Sequence, residues 1–288
     1  MGEPKGYDHL ANMRREGQAL FSIRETQLGH RQQKGKTMST EKLKDDEFDG
    51  VTTKYQLNLI YLLDTSGSMS GEPINQLNRA MAEAVQIAEE AARENEIQLI
   101  MRVVQFNSVA KWLIGDTRKG VEHIDWAPLD ANGGTDTAGA IELARSVMHR
   151  EFLGERNYRP VVVLITDGAS NDPQKTIEAV AKLKSALKSS TDPNKDKIIR
   201  IAIGVTGANQ DELTNFASVG NILRDDGRKD ENVPFVFNVD DVGLLKSLLK
   251  GITVSSILSS IAGGPEGGDS GVPTITPVAA KDDEGWEE

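Results

Sequence analysis

The amino-acid sequence predicts an α/β fold: a doubly wound, mostly parallel sheet of six strands with helices on both faces. Two observations predict it. Short apolar runs alternate along the chain with longer segments in which apolar residues recur at helical spacing, and this alternation is typical of parallel sheets. The apolar runs are also nearly continuous, as in 161–165 (Val-Val-Val-Leu-Ile), which is expected of strands that helices cover on both sides.

Six strands are predicted in chain order. Five of them belong to the parallel part of the sheet, and the segment 109–114 is expected to be a short antiparallel strand at one edge. The predicted strands are 55–63, 98–106, 109–114, 160–166, 197–205 and 233–239.

Helices fill the gaps between these strands. The first begins at Pro73, and a second follows the loop 133–137. Their inward residues are predicted to be Ile74, Leu77, Met81, Ala84, Val85 and Ala88 in the first helix, and Ile141, Ala144 and Met148 in the second.

The later helices carry recognisable starts. Asp172 followed by Pro173 is a favourable N-cap and first position, Asn209 with Glu212 resembles a capping box, and Asp241 is expected to cap the last helix. The inward residues are predicted to be Ile177, Val180, Leu183 and Leu187, and then Leu244, Leu245, Leu248 and Leu249.

Composition divides the chain into three parts. Residues 1–52 are a polar N-terminal extension, expected to be partly helical or disordered. Residues 53–256 carry the strand and helix patterns of the folded domain. Residues 257–288 are expected to be a disordered tail because their C-terminal part is rich in glycine, proline and acidic residues.

Charge and cysteine content exclude several functions. The 288-residue chain has no cysteine, which excludes disulfides, thiolate catalysis and cysteine-based zinc sites. Its formal net charge of −11 opposes binding to nucleic-acid phosphates. No segment approaches the roughly 18 consecutive apolar residues of a membrane span, and the N-terminus lacks the apolar region of a signal peptide. We therefore expect a soluble, cytoplasmic protein.

Oxygen-bearing side chains lie in three predicted loops. Asp64, Ser66 and Ser68 come directly after the first strand, Thr135 lies before the second helix, and Asp167 ends the most apolar strand. The carboxyl edge of an open α/β sheet is where ligands bind. Two carboxylates and three hydroxyls without nearby His or Cys suit Mg²⁺ or Mn²⁺ better than zinc.

One acidic neighbour is assigned a different role. Asp136 stands directly before the second helix. We interpret it as the N-cap of that helix rather than as a further metal ligand.

This pattern resembles the metal-ion-dependent adhesion site of von Willebrand factor A domains. The motifs Asp64-x-Ser66-x-Ser68, Thr135 and 166–168 (Thr-Asp-Gly) match its five positions, and the resemblance covers residues 53–256. It implies a Rossmann-like fold in which Ser66 and Ser68 ligate Mg²⁺ directly and Thr135 does so directly or through water. Asp64 and Asp167 would act mainly through bridging waters, with Mn²⁺ or Ca²⁺ as alternative cations. A Glu or Asp of a protein partner would complete the coordination.

The resemblance also implies a cellular context. Residues 68–73 (Ser-Met-Ser-Gly-Glu-Pro) are similar to the bacterial TerY-type branch of this family, which is associated with tellurium resistance, stress signalling and kinase and phosphatase companions. An alternative is an accessory subunit of an AAA+ chelatase-like or remodelling machine.

Catalysis is an alternative from a different functional class. A Mg²⁺-dependent aspartate phosphatase would use Asp64 as its nucleophile and a second Asp two positions later, where this chain has Ser66. The sequence therefore favours a non-enzymatic binding module.

Overall fold

The computed structural model describes residues 54–115, 120–153, 156–187, 197–205, 207–224, 226–239, 244–262 and 273–277, without the side chains of Arg150 and Glu151. The predicted N-terminal extension 1–52, most of the predicted tail and the predicted cap Asp241 lie outside these residues.

The described residues form nine strands. In chain order they are β1 (Gln56–Asp64), β2 (Gln98–Phe106), β3 (Ala110–Ile114), β4 (Val161–Thr166), β5 (Ile199–Val205), β6 (Val219–Leu223), β7 (Lys229–Pro234), β8 (Val236–Val239) and β9 (Thr274–Ile275).

They also form six α-helices and two short 3₁₀ turns. The helices are α1 (Glu72–Glu94), α2 (Thr137–Ser146), α3 (Arg150–Leu153), α4 (Pro173–Ser185), α5 (Gln210–Phe216) and α6 (Leu245–Ala262), and the turns are Gly67–Met69 and Val121–His123.

The main sheet confirms the predicted fold class. Its six strands lie in the order β3-β2-β1-β4-β5-β8. β3 is antiparallel to β2, and every other neighbouring pair is parallel. β1 lies in the middle, and all of its residues are buried.

Helices cover both faces of this sheet. Alternate residues of β1 face opposite ways, so that Leu59 and Tyr61 contact one apolar cluster while Ile60 and Leu62 contact another. The first cluster includes residues of α1 and α6, and the second includes residues of α2, α4 and α5. The near-continuous apolar composition of β1 follows from this double covering.

A second sheet, β7-β6-β9, is absent from the sequence prediction. The predicted strand 233–239 is divided between the two sheets, because β7 ends at Pro234 and β8 begins at Val236. Proline lacks the N–H that a continuing ladder needs, which favours a break at this position.

Several predicted inward residues are placed differently. Ile177 is 46% exposed, since the buried face of α4 is formed by Thr176, Ala179, Val180 and Leu183. Met148 is buried but follows the end of α2, and Leu244 is 42% exposed. Helical spacing gives the approximate face, whereas the neighbouring elements decide which residues at its border are covered.

Helix starts agree more closely. Asp172 accepts a hydrogen bond from the Lys175 backbone N–H at the start of α4, as predicted. Asn209 caps α5, but Glu212 does not complete a capping box. Its carboxylate instead accepts a hydrogen bond from the backbone N–H of Ser170.

The last helix continues beyond the predicted domain boundary at 256. α6 ends at Ala262. Within the part of the chain that the structure describes, it is the one helix whose length and composition, at a mean hydropathy of 1.2, would suit a membrane span, and 44% of that stretch is buried inside the protein. Packing in the first apolar cluster buries Leu245, Leu249, Ile252 and Ile257 of this helix.

Candidate metal centre

The candidate centre starts where β1 and β4 end side by side. These strands are parallel neighbours with Leu63 opposite Ile165, so Asp64 and Thr166 reach the carboxyl edge of the sheet together. The Thr166 hydroxyl donates to Asp64 Oδ2 at 2.5 Å. The register of two central strands therefore fixes the first carboxylate of the site.

Asp64 is held on both carboxylate oxygens. Its Oδ1 accepts the backbone N–H of Ser66 at 2.8 Å, and the side chain is fully buried. Burial raises the pKa of Asp64 most, hydrogen bonds from Thr166 and Ser66 oppose that rise, and the charge of Asp167 adds to it. A nearby cation would stabilise the ionised form.

The two serines bring their hydroxyls to one point. The 3₁₀ turn Gly67–Met69, anchored by the buried side chain of Met69, follows Ser66 directly. Ser66 Oγ lies 3.0 Å from Ser68 Oγ. Ser66 is only 2% exposed, whereas Ser68 is exposed, so the pair extends from the interior to the surface.

Asp167 closes the same group of side chains from the end of β4. Ser68 Oγ donates to Asp167 Oδ1 at 2.8 Å. Partial burial raises the pKa of Asp167, and the hydrogen bond from Ser68 opposes that rise. Burial thus raises the pKa of both carboxylates of the centre.

The loop before α2 reaches the centre because other loops hold its backbone. Asn132 N–H donates to Thr65 O at 2.8 Å, and Gly67 N–H donates to Gly133 O at 3.0 Å. Gly133 has φ of +79°, a conformation that favours glycine. These contacts join the loop to the segment that carries the serines.

Thr135 faces the same space as Ser68. A Cβ atom built on Gly168 would lie 3.8 Å from Ser68 Oγ and 3.9 Å from Thr135 Oγ1. Both hydroxyls therefore lie beside Gly168, within van der Waals contact of one position. The structure brings all five predicted residues, Asp64, Ser66, Ser68, Thr135 and Asp167, to one edge of the sheet.

Asp136 has the role predicted for it. Its Oδ1 accepts the backbone N–H of Gly139 at 3.0 Å, which caps α2. Its own N–H donates to Asn107 O at 2.6 Å. The carboxylate is used at the helix start and not among the hydroxyls of the centre.

The donor set fits a hard divalent cation. Adjacent ligands of octahedral Mg²⁺, each about 2.1 Å from the metal, lie about 3.0 Å apart, and the two serine hydroxyls have this separation. Among the described residues, no group of three or more His, Cys, Asp or Glu side chains could hold a metal ion. Ser66, Ser68 and Thr135 would contact the cation, and Asp64 and Asp167 would balance its charge.

Sequence reasoning missed the residues that support the centre. Thr166 was noted only as part of its motif, yet its hydroxyl holds Asp64. Ser108 Oγ accepts the backbone N–H of Gly134 at 2.8 Å. Thr65 is fully buried, and its hydroxyl donates to Phe106 O at 3.0 Å. A threonine at the end of a central strand was the only available signal, and it is common in other contexts.

The structure is an α/β domain with a candidate cation site, lined by oxygen-bearing side chains, at the carboxyl edge of its main sheet. The family model described as von Willebrand factor type A domain matches residues 58–251. The chain therefore belongs to this family, and the resemblance noted in the sequence is confirmed at this level.

Two individual proteins that resemble this chain are each less than 30% identical to it. The chain is 29% identical over 191 residues to the collagen alpha-5(VI) chain of Mus musculus, a match that covers 64% of this chain and 6% of that protein. It thus spans a small fraction of that relative's length.

Among solved structures, proximal thread matrix protein 1 from the mussel byssus is 17% identical, with a TM-score of 0.46 over 71% of this chain and 47% of that one. The same protein with a zinc-occupied MIDAS motif gives 17% identity and a TM-score of 0.46, over 71% and 46% of the two chains.

Proposed function

We propose that this protein is a non-enzymatic, metal-dependent protein-interaction module. Mg²⁺ would be held by Ser66, Ser68 and Thr135, backed by Asp64 and Asp167, and a Glu or Asp of a protein partner would bind the cation from outside. The observation that carries the proposal is the gradient of exposure across one connected group. Asp64 and Ser66 are buried, and they lead to the exposed Ser68, which contacts Asp167.

The charge of the group favours an external carboxylate. Hydroxyls are neutral ligands, so a cation held by Ser66, Ser68 and Thr135 would keep much of its positive charge. Both carboxylate oxygens of Asp64 already accept hydrogen bonds within the protein. A partner's carboxylate would therefore be the strongest available ligand for the open position.

The same contacts argue against catalysis by Asp64. A nucleophilic carboxylate needs an oxygen directed at the substrate, but Asp64 is fully buried. Ser66 occupies the position of the second carboxylate that an aspartate phosphatase requires. A binding function does not need this second carboxylate, so it fits the residues that are present.

The narrower context is also part of the proposal. Similarity of residues 68–73 to TerY-type proteins supports a bacterial stress-response assembly with kinase and phosphatase companions, and the lack of cysteine supports a cytoplasmic location. Service to an AAA+ machine is the alternative. Mn²⁺ or Ca²⁺ could replace Mg²⁺, since both accept oxygen ligands.

Metal binding is tested by isothermal titration of Mg²⁺ and Mn²⁺ into the wild-type chain, Ser68→Ala and Ser70→Ala. Ser70 is the matched control because it is exposed and follows Ser68 by two residues, but its hydroxyl contacts Ala131 O. We expect Ser68→Ala to weaken binding and Ser70→Ala to leave it unchanged. Equal affinities for all three chains would contradict the assigned site.

Partner binding is tested by capture on the immobilised wild-type chain in Mg²⁺, repeated with EDTA and with the two serine variants. A specific partner should be lost with EDTA and with Ser68→Ala but kept with Ser70→Ala. Replacing the carboxylates of that partner in turn should identify one whose loss has the same effect. Capture that is indifferent to EDTA would contradict the proposal.

A further inference from the structure

A short segment near the C-terminus is inserted between β6 and α6. β9 pairs in parallel with β6, with Asn221 opposite Thr274 and Ile222 opposite Ile275. The backbone N–H of Asn221 donates to Pro273 O at 2.9 Å. We call the slot between β6 and α6 that holds residues 273–277 the strand groove.

The helix side of the strand groove recognises the backbone of the segment. Ser259 of α6 donates its hydroxyl to Thr274 O and accepts the Thr274 N–H at 3.2 Å. One serine thus satisfies both backbone groups of Thr274, as a second neighbouring strand would. Backbone hydrogen bonds on both sides are the basis of recognition by strand addition.

One side chain anchors the segment. Ile275 is fully buried and belongs to the apolar cluster that contains Ile252 and Ile257 of α6. Gly220 permits the close approach on the other side, because a Cβ there would lie 2.6 Å from Pro273 O and would collide with the Phe235 ring. The groove therefore combines a backbone ladder with a single apolar pocket.

The segment is built as a weak strand. Pro273 and Pro277 bracket Thr-Ile-Thr, and neither proline can donate to a ladder, so the paired region is limited to two residues. Ten residues, 263–272, connect it to α6, and five of them are glycine. This composition is typical of linkers, which hold a tethered segment at a local concentration of the order of 1 mM.

We propose that the strand groove is an exchangeable peptide-binding site that accepts residues 273–277 of a second copy of this chain. The contacts made by the two segments would be the same, so the balance depends on concentration. At about 10 µM protein and a local concentration of about 1 mM, roughly 1% of grooves would hold a partner's segment. Crowding of copies on a shared assembly would raise that fraction.

The first test uses a fluorescent peptide of residues 271–279 and the full chain carrying Ile275→Asp, which disables the resident segment. We expect saturable binding of the peptide to this variant. Binding to the wild-type chain should be about tenfold weaker, because its own segment competes. A peptide carrying the same Ile→Asp change should not bind. EDTA should have no effect, which separates this site from the metal centre.

The milder variant Ile275→Ala provides a second host, and circular dichroism checks that each variant is folded. A folded host that does not bind the peptide, or that binds both peptides equally, would overturn the proposal.

The second test examines exchange between copies. A chain with Ile275→Asp has an intact groove, and a chain with Ser259→Val has an intact segment but lacks the hydroxyl that recognises it. Each alone should sediment as a monomer, whereas the mixture should form a one-to-one dimer at concentrations that saturate the peptide. A mixture that stays monomeric there would show that a second copy cannot occupy the groove.

Discussion

The candidate metal centre and the strand groove lie in one domain, and they are built from different groups. The centre uses side-chain oxygens from three separate loops, and these stand in a recognisable order along the sequence. The groove uses backbone N–H and C=O groups, one serine hydroxyl and one apolar pocket. The comparison teaches that a site made of side chains is visible in a sequence, whereas a site made of backbone is not.

Charge separates the two regions as well. Burial raises the pKa of both Asp64 and Asp167, so a bound cation would stabilise their ionised forms. The described contacts between β9 and the groove involve no charged side chain. We therefore expect cations to affect the centre strongly and the groove hardly at all.

The largest expected effect is that of Asp64→Ala. It removes the buried carboxylate that Ser66 and Thr166 contact, and we expect Mg²⁺ affinity to fall about 100-fold. At a Mg²⁺ concentration 100 times the Kd, the wild-type chain should gain about 2.7 kcal/mol in free energy of unfolding, and the variant should gain little. Calorimetry with and without Mg²⁺ measures both effects. An unchanged metal-induced shift in the variant would remove Asp64 from the site.

Thr166→Val should have the next largest effect on the centre. Valine keeps the shape of threonine but cannot donate to Asp64 Oδ2, and we expect metal affinity to fall about tenfold. The control is Thr253→Val, which removes another buried threonine hydroxyl, one that lies 2.7 Å from the Tyr61 hydroxyl within the core. Both variants should lose stability, but only Thr166→Val should lose metal affinity in titration. If the control lost affinity equally, the effect would be one of general stability.

Ile275→Ala tests whether residues 273–277 can leave the strand groove while the rest of the domain stays folded. Because the segment can detach locally, the free energy of global unfolding should change by less than the 2–5 kcal/mol that is typical of Ile→Ala in a core. The full cost should be seen with Ile257→Ala, in α6 itself. Hydrogen exchange at the Asn221 amide, which donates to Pro273 O, should become faster in Ile275→Ala. If the Asn221 amide of Ile275→Ala exchanged as slowly as in the wild-type chain, the segment would be an integral part of the fold.

The smallest effect is expected from Asp136→Ala. Loss of an N-cap should lower the free energy of unfolding by about 1 kcal/mol, because the Gly139 N–H loses its acceptor. Mg²⁺ affinity should stay within twofold of wild type. A clear loss of affinity would instead place Asp136 among the groups that hold the cation.

Much of the fold was predictable because its main strands are determined locally. The limits of β2 are those predicted, and the antiparallel edge strand β3 differs by one residue. Continuous apolar runs and good N-caps such as Asp172 carry this information within a few neighbouring residues. Asp64, Ser66, Ser68 and Asp167 were also predictable, since the carboxyl ends of parallel strands lie at one edge of the sheet. Thr135, in the loop before α2, was assigned from its place in the motif.

Tertiary structure alone decided the rest. That Thr166 holds Asp64 depends on the register between β1 and β4. The exposure of Ile177 depends on which elements cover α4, and the burial of Ile275 depends on a slot between β6 and α6. Local patterns specify what each segment can form, and contacts between residues distant in the chain determine which surfaces are covered. Local sequence patterns thus predict the main sheet and the oxygen-bearing side chains of the candidate metal centre, whereas their supporting contacts and the strand groove depend on packing between distant residues.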